Sequence, residues 1–156
     1  MRKILFVCHG NICRSPMAEF VMKNLIEERN LTNEFEISSA ATSTEEIGSP
    51  VYPPVKDLLQ KLGIDCSEKR ARQMESKDYD KYDEIYVMDF RNIRNIAKIC
   101  TDKDHKIKLL RSVLYNEDDI EDIGAEDLEV EDPWYTRNFK KVYDMILEAC
   151  LKILEE

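Results

Sequence analysis

The chain opens on a continuous apolar run, residues 3–8, the pattern of a strand buried on both faces of a parallel sheet. The period then changes from two to between three and four. Met17, Phe20, Val21, Leu25 and Ile26 fall on one face of a helix predicted over 16–29, with Ser15 able to cap it and Pro16 suited to its first turn. A second strand is predicted at 34–39. A helix follows at 53–62, with Val55, Leu58, Leu59 and Leu62 inward and Gly63 as its stop. The third strand is placed at 84–88, a helix at 91–99 and the fourth strand at 106–110. From Arg137 on, Phe139, Val142, Tyr143, Ile146, Leu147, Cys150, Leu151 and Leu154 recur at helical spacing, the cleanest amphipathic stripe in the chain. Strands alternating with helices imply right-handed βαβ crossovers, hence an α/β fold with a parallel sheet covered on both faces. In such sheets ligands bind beyond the carboxyl ends of the strands, where strand order reverses. The loop after the first strand is therefore the first place to look for chemistry.

Composition narrows the class. No repeat, low-complexity tract or linker divides the 156 residues, so residues 1–156 are expected to form one domain, and 43% hydrophobic residues suffice to close its core. A net charge of −9 argues against a partner such as nucleic acid, which is held through Lys and Arg on phosphates. No apolar run approaches the roughly 18 residues of a membrane span. The opening apolar stretch is cut short at His9-Gly10-Asn11, so it reads as a strand rather than a signal segment. Five cysteines, an odd number, then point to a reducing compartment, and the expected location is the cytoplasm. His9 and His105 are the only histidines and no Cys/His spacing suggests a metal site, so no metal or cofactor is expected. The acidic stretch between Asn116 and Asp132 reads as a solvated loop, and Lys69, Arg70 and Arg72 as a solvated basic face.

The loop itself is Cys8-His9-Gly10-Asn11-Ile12-Cys13-Arg14-Ser15-Pro16. A strand ends on a cysteine, a Gly-Asn turn follows, and a helix opens beside an arginine. Such a turn can aim successive backbone N–H groups of His9, Gly10, Asn11, Ile12, Cys13 and Arg14 at an anion, with the positive end of the helix behind them. Gly10 and Asn11 are the residues best able to adopt positive φ there. Arg14 can meet a tetrahedral oxyanion through two parallel hydrogen bonds. Thiols at helix N-termini titrate at about 3.5–7.5, so Cys8 is expected to be a thiolate, with Ser15 placed to hydrogen-bond its sulfur. A cysteine ending a core strand is commonly no more than a small buried hydrophobe. Here the Gly, Asn, Arg, Ser and Pro around it favour a nucleophile aimed at phosphorus. Cleaving a phosphate ester also requires a proton for the leaving oxygen. Asp132, stiffened by Pro133 and followed by the aromatic Trp134, is the candidate acid.

These segments, together with Ser38-Ser39-Ala40-Ala41-Thr42-Ser43, Ala71-Arg72-Gln73, Met88-Asp89 with Asn92, and Asp132-Pro133-Trp134-Tyr135, resemble the low-molecular-weight protein tyrosine phosphatases from the first strand to the last helix. The resemblance implies a three-layer, Rossmann-like fold, its four-stranded parallel sheet in the order 2-1-3-4. It implies metal-independent hydrolysis of phosphotyrosine in proteins, or of small aryl phosphates, through a phosphocysteine, with inorganic phosphate as product and a monomer as the working form. Cys8 is then the nucleophile, Arg14 the phosphoryl ligand, and Asp132 first acid and then base. Asn11 and Ser39 hold the loop, Ser15 stabilises the departing thiolate, and Trp134 and Tyr135 flank the mouth.

Four departures from the family pattern stand out. His9 occupies a usually apolar position, where its side chain is expected to point away from the phosphate. Thr44-Glu45-Glu46 replaces the common aromatic wall, so Glu45 takes the place of a substrate-selecting group. A histidine that often supports the loop asparagine is missing near Lys69. Trp134 replaces a tyrosine that is sometimes phosphorylated, leaving Tyr135 for that role. Cys13 is close enough in sequence to capture oxidised Cys8 as a disulfide, while Cys66, Cys100 and Cys150 are expected to be structural. A thiol-dependent arsenate reductase would need resolving cysteines near one another beyond the loop, and Cys66 and Cys100 are 34 positions apart (100 − 66). A non-catalytic phosphotyrosine-binding module would not need Cys8, Arg14 and Asp132 together.

Overall fold

A computed structural model describes residues 1–156. Four parallel strands, β1 (Arg2–Cys8), β2 (Phe35–Ala41), β3 (Glu84–Val87) and β4 (Ile107–Leu109), lie in the order β2-β1-β3-β4. Cys8 pairs in register with Ala41 on one side of β1, and Val7 with Val87 on the other. The chain moves outward from β1 to β2 and then jumps across to β3. The switch point therefore falls at the carboxyl end of β1, which is where Cys8 stands.

The pleat of β1 divides the core. Ile4, Phe6 and Cys8 face a cluster built on α1 (Arg14–Glu28), α2 (Pro53–Lys61) and α7 (Phe139–Leu154). Leu5 and Val7 face the other layer, with α3 (Ser76–Lys81), α4 (Phe90–Ile96) and α5 (Ala125–Leu128). The stripe predicted for the last helix is the buried face of α7, where Val142, Ile146, Ala149, Cys150 and Ile153 are enclosed. Gly63 ends α2 with φ +79°, a conformation that side chains bearing a Cβ resist.

The differences from the sequence reading have local causes. Helix α1 starts at Arg14 rather than at residue 16, and Ser15 does not cap it. The Ser15 hydroxyl lies inside the first turn and is engaged by Cys8 and Asn11 instead. Helix α7 starts two residues late because Arg137 takes a left-handed φ of 62°, closing the short helix α6 (Pro133–Thr136). The stretch 116–132 is not featureless: it folds as a 3₁₀ turn (Glu117–Asp122) and α5, short pieces without a strong apolar period. Helix α3 escaped notice for the same reason, and a capping box between Glu75 and Asp78 defines its start.

Candidate active site

The loop from Cys8 to Arg14 bends back beneath the end of the sheet. Asn11 takes a left-handed φ of 58° at its centre, a conformation costing about 1–2 kcal/mol for a residue with a Cβ. Gly10 does not adopt positive φ, contrary to the expectation for both residues, and instead lies against the stem of Glu46.

Asn11 is held by three partners. Its Nδ2 donates to Ser15 Oγ at 2.7 Å and to Ser39 Oγ at 2.9 Å, and its Oδ1 accepts from the Arg72 backbone N–H at 3.2 Å. Ser39 passes its own proton to Glu19 Oε1, and Glu19 is paired with Lys69 Nζ at 3.2 Å. Lys69 also donates to the Ser39 carbonyl at 3.0 Å. The clamp behind the loop is thus a buried chain, Asn11–Ser39–Glu19–Lys69.

This corrects the reading of Lys69 as part of a solvated face. Its side chain is only 10% exposed, and burial, opposed by Glu19, draws its pKa down. Arg72 is likewise committed, to Asp78. Glu19 was not singled out from sequence: a glutamate in the polar–apolar alternation of a helix looks like any solvated one, yet it is 4% exposed.

The clamp also places a hydroxyl beside the sulfur. Ser15 Oγ accepts from Asn11 and lies 3.1 Å from Cys8 Sγ and 3.5 Å from the Ala40 carbonyl, so its hydrogen has the sulfur as the nearer of two acceptors. Cys8 itself is 3% exposed at the floor of the pocket.

Arg14 is buried and fixed through one side of its guanidinium. Nη1 donates to Asp89 Oδ2 at 2.7 Å and to the Val130 carbonyl at 2.9 Å. Asp89 also caps α4 by accepting from the Asn92 N–H at 2.8 Å, so one carboxylate ties the arginine to a helix end. Nη2 is turned to the pocket, 3.6 Å from Asp132 Oδ2. Burial alone would draw the Arg14 pKa down, but Cys8, Asp89 and Asp132 more than reverse this, so the guanidinium stays charged. The tie to Asp89 was not anticipated, although Met88-Asp89 with Asn92 had been noted as a motif.

Asp132 reaches the pocket from the opposite side. It caps α6, accepting from the Trp134 N–H at 3.0 Å, and its side chain is 30% exposed. Trp134 is backed by Tyr52 with ring centroids 4.8 Å apart, and Arg137 donates to Tyr52 Oη at 2.9 Å. One pocket is lined by Cys8, His9, Gly10, Ile12, Cys13 and Arg14, by Glu45 and Glu46, and by Asp132, Trp134 and Tyr135. Asn11 and Ser39 support it from behind. The His9 side chain turns to the rim, where its Nε2 meets Glu45 Oε2 at 3.0 Å, joining the loop to the 42–49 segment. Cys13 lies beside Cys8, and burial first, then the charges of Cys8 and Asp132, push its thiol pKa well up. Cys66 and Cys150 are buried, and Cys100 packs on the far face of the sheet.

A thiol under a helix N-terminus, an arginine with one side left for an oxyanion, and a carboxyl across the cavity are the parts required for nucleophilic cleavage of a phosphate ester. The comparisons agree. Residues 3–156 match the family described as low molecular weight phosphotyrosine protein phosphatase. The chain is 36% identical to the low molecular weight phosphotyrosine protein phosphatase of Gallus gallus, over 100% of this chain and 96% of that one. It is 35% identical to the low molecular weight protein-tyrosine-phosphatase YfkJ of Bacillus subtilis, over 99% and 94%. The crystal structure of YfkJ shares the fold with a TM-score of 0.88 at 33% identity, covering 99% of this chain and 93% of that one. With sequence, architecture and pocket in accord over its whole length, the chain belongs to the low molecular weight phosphotyrosine protein phosphatases.

Proposed function

We propose that the pocket hydrolyses phosphotyrosine in proteins, and small aryl phosphates, in two displacements at phosphorus. In the first, Cys8 Sγ attacks in line, the bond from phosphorus to the phenolic oxygen breaks, and Asp132 gives that oxygen its proton. The loop amides and the free side of Arg14 hold the three equatorial oxygens. In the second, water attacks the phosphocysteine, the Asp132 carboxylate takes its proton, and the S–P bond breaks to release inorganic phosphate. The Ser15 hydroxyl donates to the departing sulfur. No step in this scheme calls on a metal or cofactor.

The observation that carries this reading is the convergence of Cys8, Arg14 and Asp132 on one pocket, with the Ser15 hydroxyl 3.1 Å from the Cys8 sulfur. Turnover of p-nitrophenyl phosphate with EDTA present tests it: wild type is active, Cys8→Ser is inert, and vanadate and inorganic phosphate inhibit competitively. An inert wild type that reduces arsenate with thioredoxin would overturn the reading.

The enzyme is proposed to work as a monomer in the cytoplasm. The five free cysteines support the reducing location. Cys13 is proposed as a redox guard. Peroxide converts the Cys8 thiolate to a sulfenic acid, and Cys13 condenses with it to a disulfide, releasing water; dithiothreitol then restores both thiols. The raised thiol pKa of Cys13 makes its capture step slow. After peroxide treatment, Cys13→Ser should regain less activity with dithiothreitol than wild type, and equal recovery would discard the role.

A further inference from the structure

The mouth of the pocket carries more negative charge than the phosphate chemistry explains. Glu45 and Glu46 both line it. Glu45 is held by His9 Nε2 at 3.0 Å, and Glu46 accepts from the Ser49 hydroxyl at 2.9 Å with its stem against Gly10. The only arginine or lysine lining the pocket is Arg14, which is buried at its base and bound to Asp89. Arg137 lies over the Tyr52 and Phe139 rings, behind Trp134. Of the basic cluster that could have offset these carboxylates, Lys69 and Arg72 are spent on Glu19 and Asp78, and Arg70, bonded to the Ser67 and Lys69 carbonyls, does not line the pocket.

A phosphotyrosine ring has nothing to offer two carboxylates at the rim. A neighbouring lysine or arginine does. We propose that Glu45 and Glu46 are specificity-determining residues that select phosphotyrosyl segments carrying Lys or Arg next to the phosphotyrosine and disfavour acidic ones. This rests on the phosphatase reading above. The hydrogen bonds from His9 and Ser49 bias the two carboxylates toward the wall before substrate arrives, although the Glu45 side chain stays 69% exposed. An exposed ion pair changes an equilibrium by up to about fivefold, so two carboxylates together with repulsion of acidic flanks give a preference of about tenfold.

Two phosphotyrosyl peptides differing only in Lys or Glu on both sides of the phosphotyrosine test this by kcat/KM at low ionic strength. Wild type should favour the Lys peptide about tenfold, and the ratio should shrink in about 1 M salt, where the screening length is roughly 3 Å. In E45Q/E46Q the ratio should fall to within about twofold of unity, as expected once the paired charges are gone. The control E27Q/E28Q removes the same charge at the far end of α1, about 20 Å along the helix, and should keep the preference. Equal rates in wild type overturn the proposal, as does a preference that survives in E45Q/E46Q or vanishes equally in E27Q/E28Q. Parallel p-nitrophenyl phosphate turnover separates the two claims. Its absence in wild type sinks the phosphatase reading, whereas its presence without peptide discrimination sinks only this one.

Discussion

The two walls that face each other across the pocket are built on opposite principles. On the nucleophile side, Cys8, Asn11, Arg14, Ser15, Ser39 and Glu19 are each at most 5% exposed and linked by hydrogen bonds that leave little freedom. On the acid side, Asp132 sits at the start of a four-residue helix, held by one bond to the Trp134 N–H, among side chains that are 46% (Trp134) and 73% (Tyr135) exposed. The first wall must hold a strained loop and a buried sulfur in one geometry before the substrate arrives. The second must only deliver a proton and admit a leaving group, and short turns on the surface suffice for that. Rigidity is placed where charge is to be stabilised.

The comparison can be broken from either side. Asp132→Ala should lower kcat for aryl phosphates by roughly 10²–10⁴, the span of a general acid, with only a small drop in melting temperature, because what is lost is the half-buried cap of a four-residue helix. Equal kcat for variant and wild type would remove Asp132 from its role. Asp89→Asn keeps an acceptor for the Asn92 N–H but weakens the grip on Arg14. A misplaced guanidinium should cost about 10²-fold in kcat at nearly unchanged stability. A large loss of stability instead would show that Asp89 matters chiefly as a cap.

Glu19→Gln acts on the buried wall alone. It leaves Lys69 a buried, unpaired cation and should destabilise the fold by about 3 kcal/mol, read by denaturant unfolding. A companion Lys69→Met in the same chain should recover part of that, and purely additive losses would show that the pair is not coupled.

The smallest effect lies away from both walls. Burial pushes the pKa values of Glu84 and Asp78 up, but hydrogen bonds outweigh it, chiefly from Arg2 and Tyr86 to Glu84 and from Arg72 to Asp78. Both therefore titrate below their ordinary values. Each binds a proton less readily folded than unfolded. Their contribution is thus complete above about pH 4.3 and is lost as pH falls through the depressed values. Melting temperature should decline below that pH, and less steeply in Glu84→Gln.

The difference between the walls also explains what could be read from the sequence. The loop from Cys8 to Ser15 is contiguous, so its residues and the period change from strand to helix lie in one line of text. The alternation of strands with helices and the α7 stripe were legible for a similar reason, since hydrophobic periodicity leaves local marks, whereas the strand order came from the family resemblance. The support for the loop is not local: Glu19, Ser39 and Lys69 come from α1, β2 and the segment after α2. Ser39 was reached through the family resemblance, whereas nothing adjacent to Glu19 and Lys69 signals burial. The tie of Asp89 to Arg14 and the backing of Trp134 by Tyr52 escaped because those pairs are 75 and 82 positions apart (89 − 14 and 134 − 52). The short helices α3, α5 and α6 have too few turns for an apolar period. The His9–Glu45 contact was out of reach of the sequence because it forms only when the two loops fold together.

The central claim is that one sulfur accepts a phosphoryl group in this pocket. Acid quenching during steady turnover of an aryl phosphate, followed by intact-mass and peptide-level mass spectrometry, reads it directly. The account predicts one HPO₃ unit per chain, confined to the peptide bearing Cys8, present in Cys13→Ser and absent in Cys8→Ser. An enzyme that turns over fully while Cys8 never carries phosphorus, or that carries it on another residue, would contradict it.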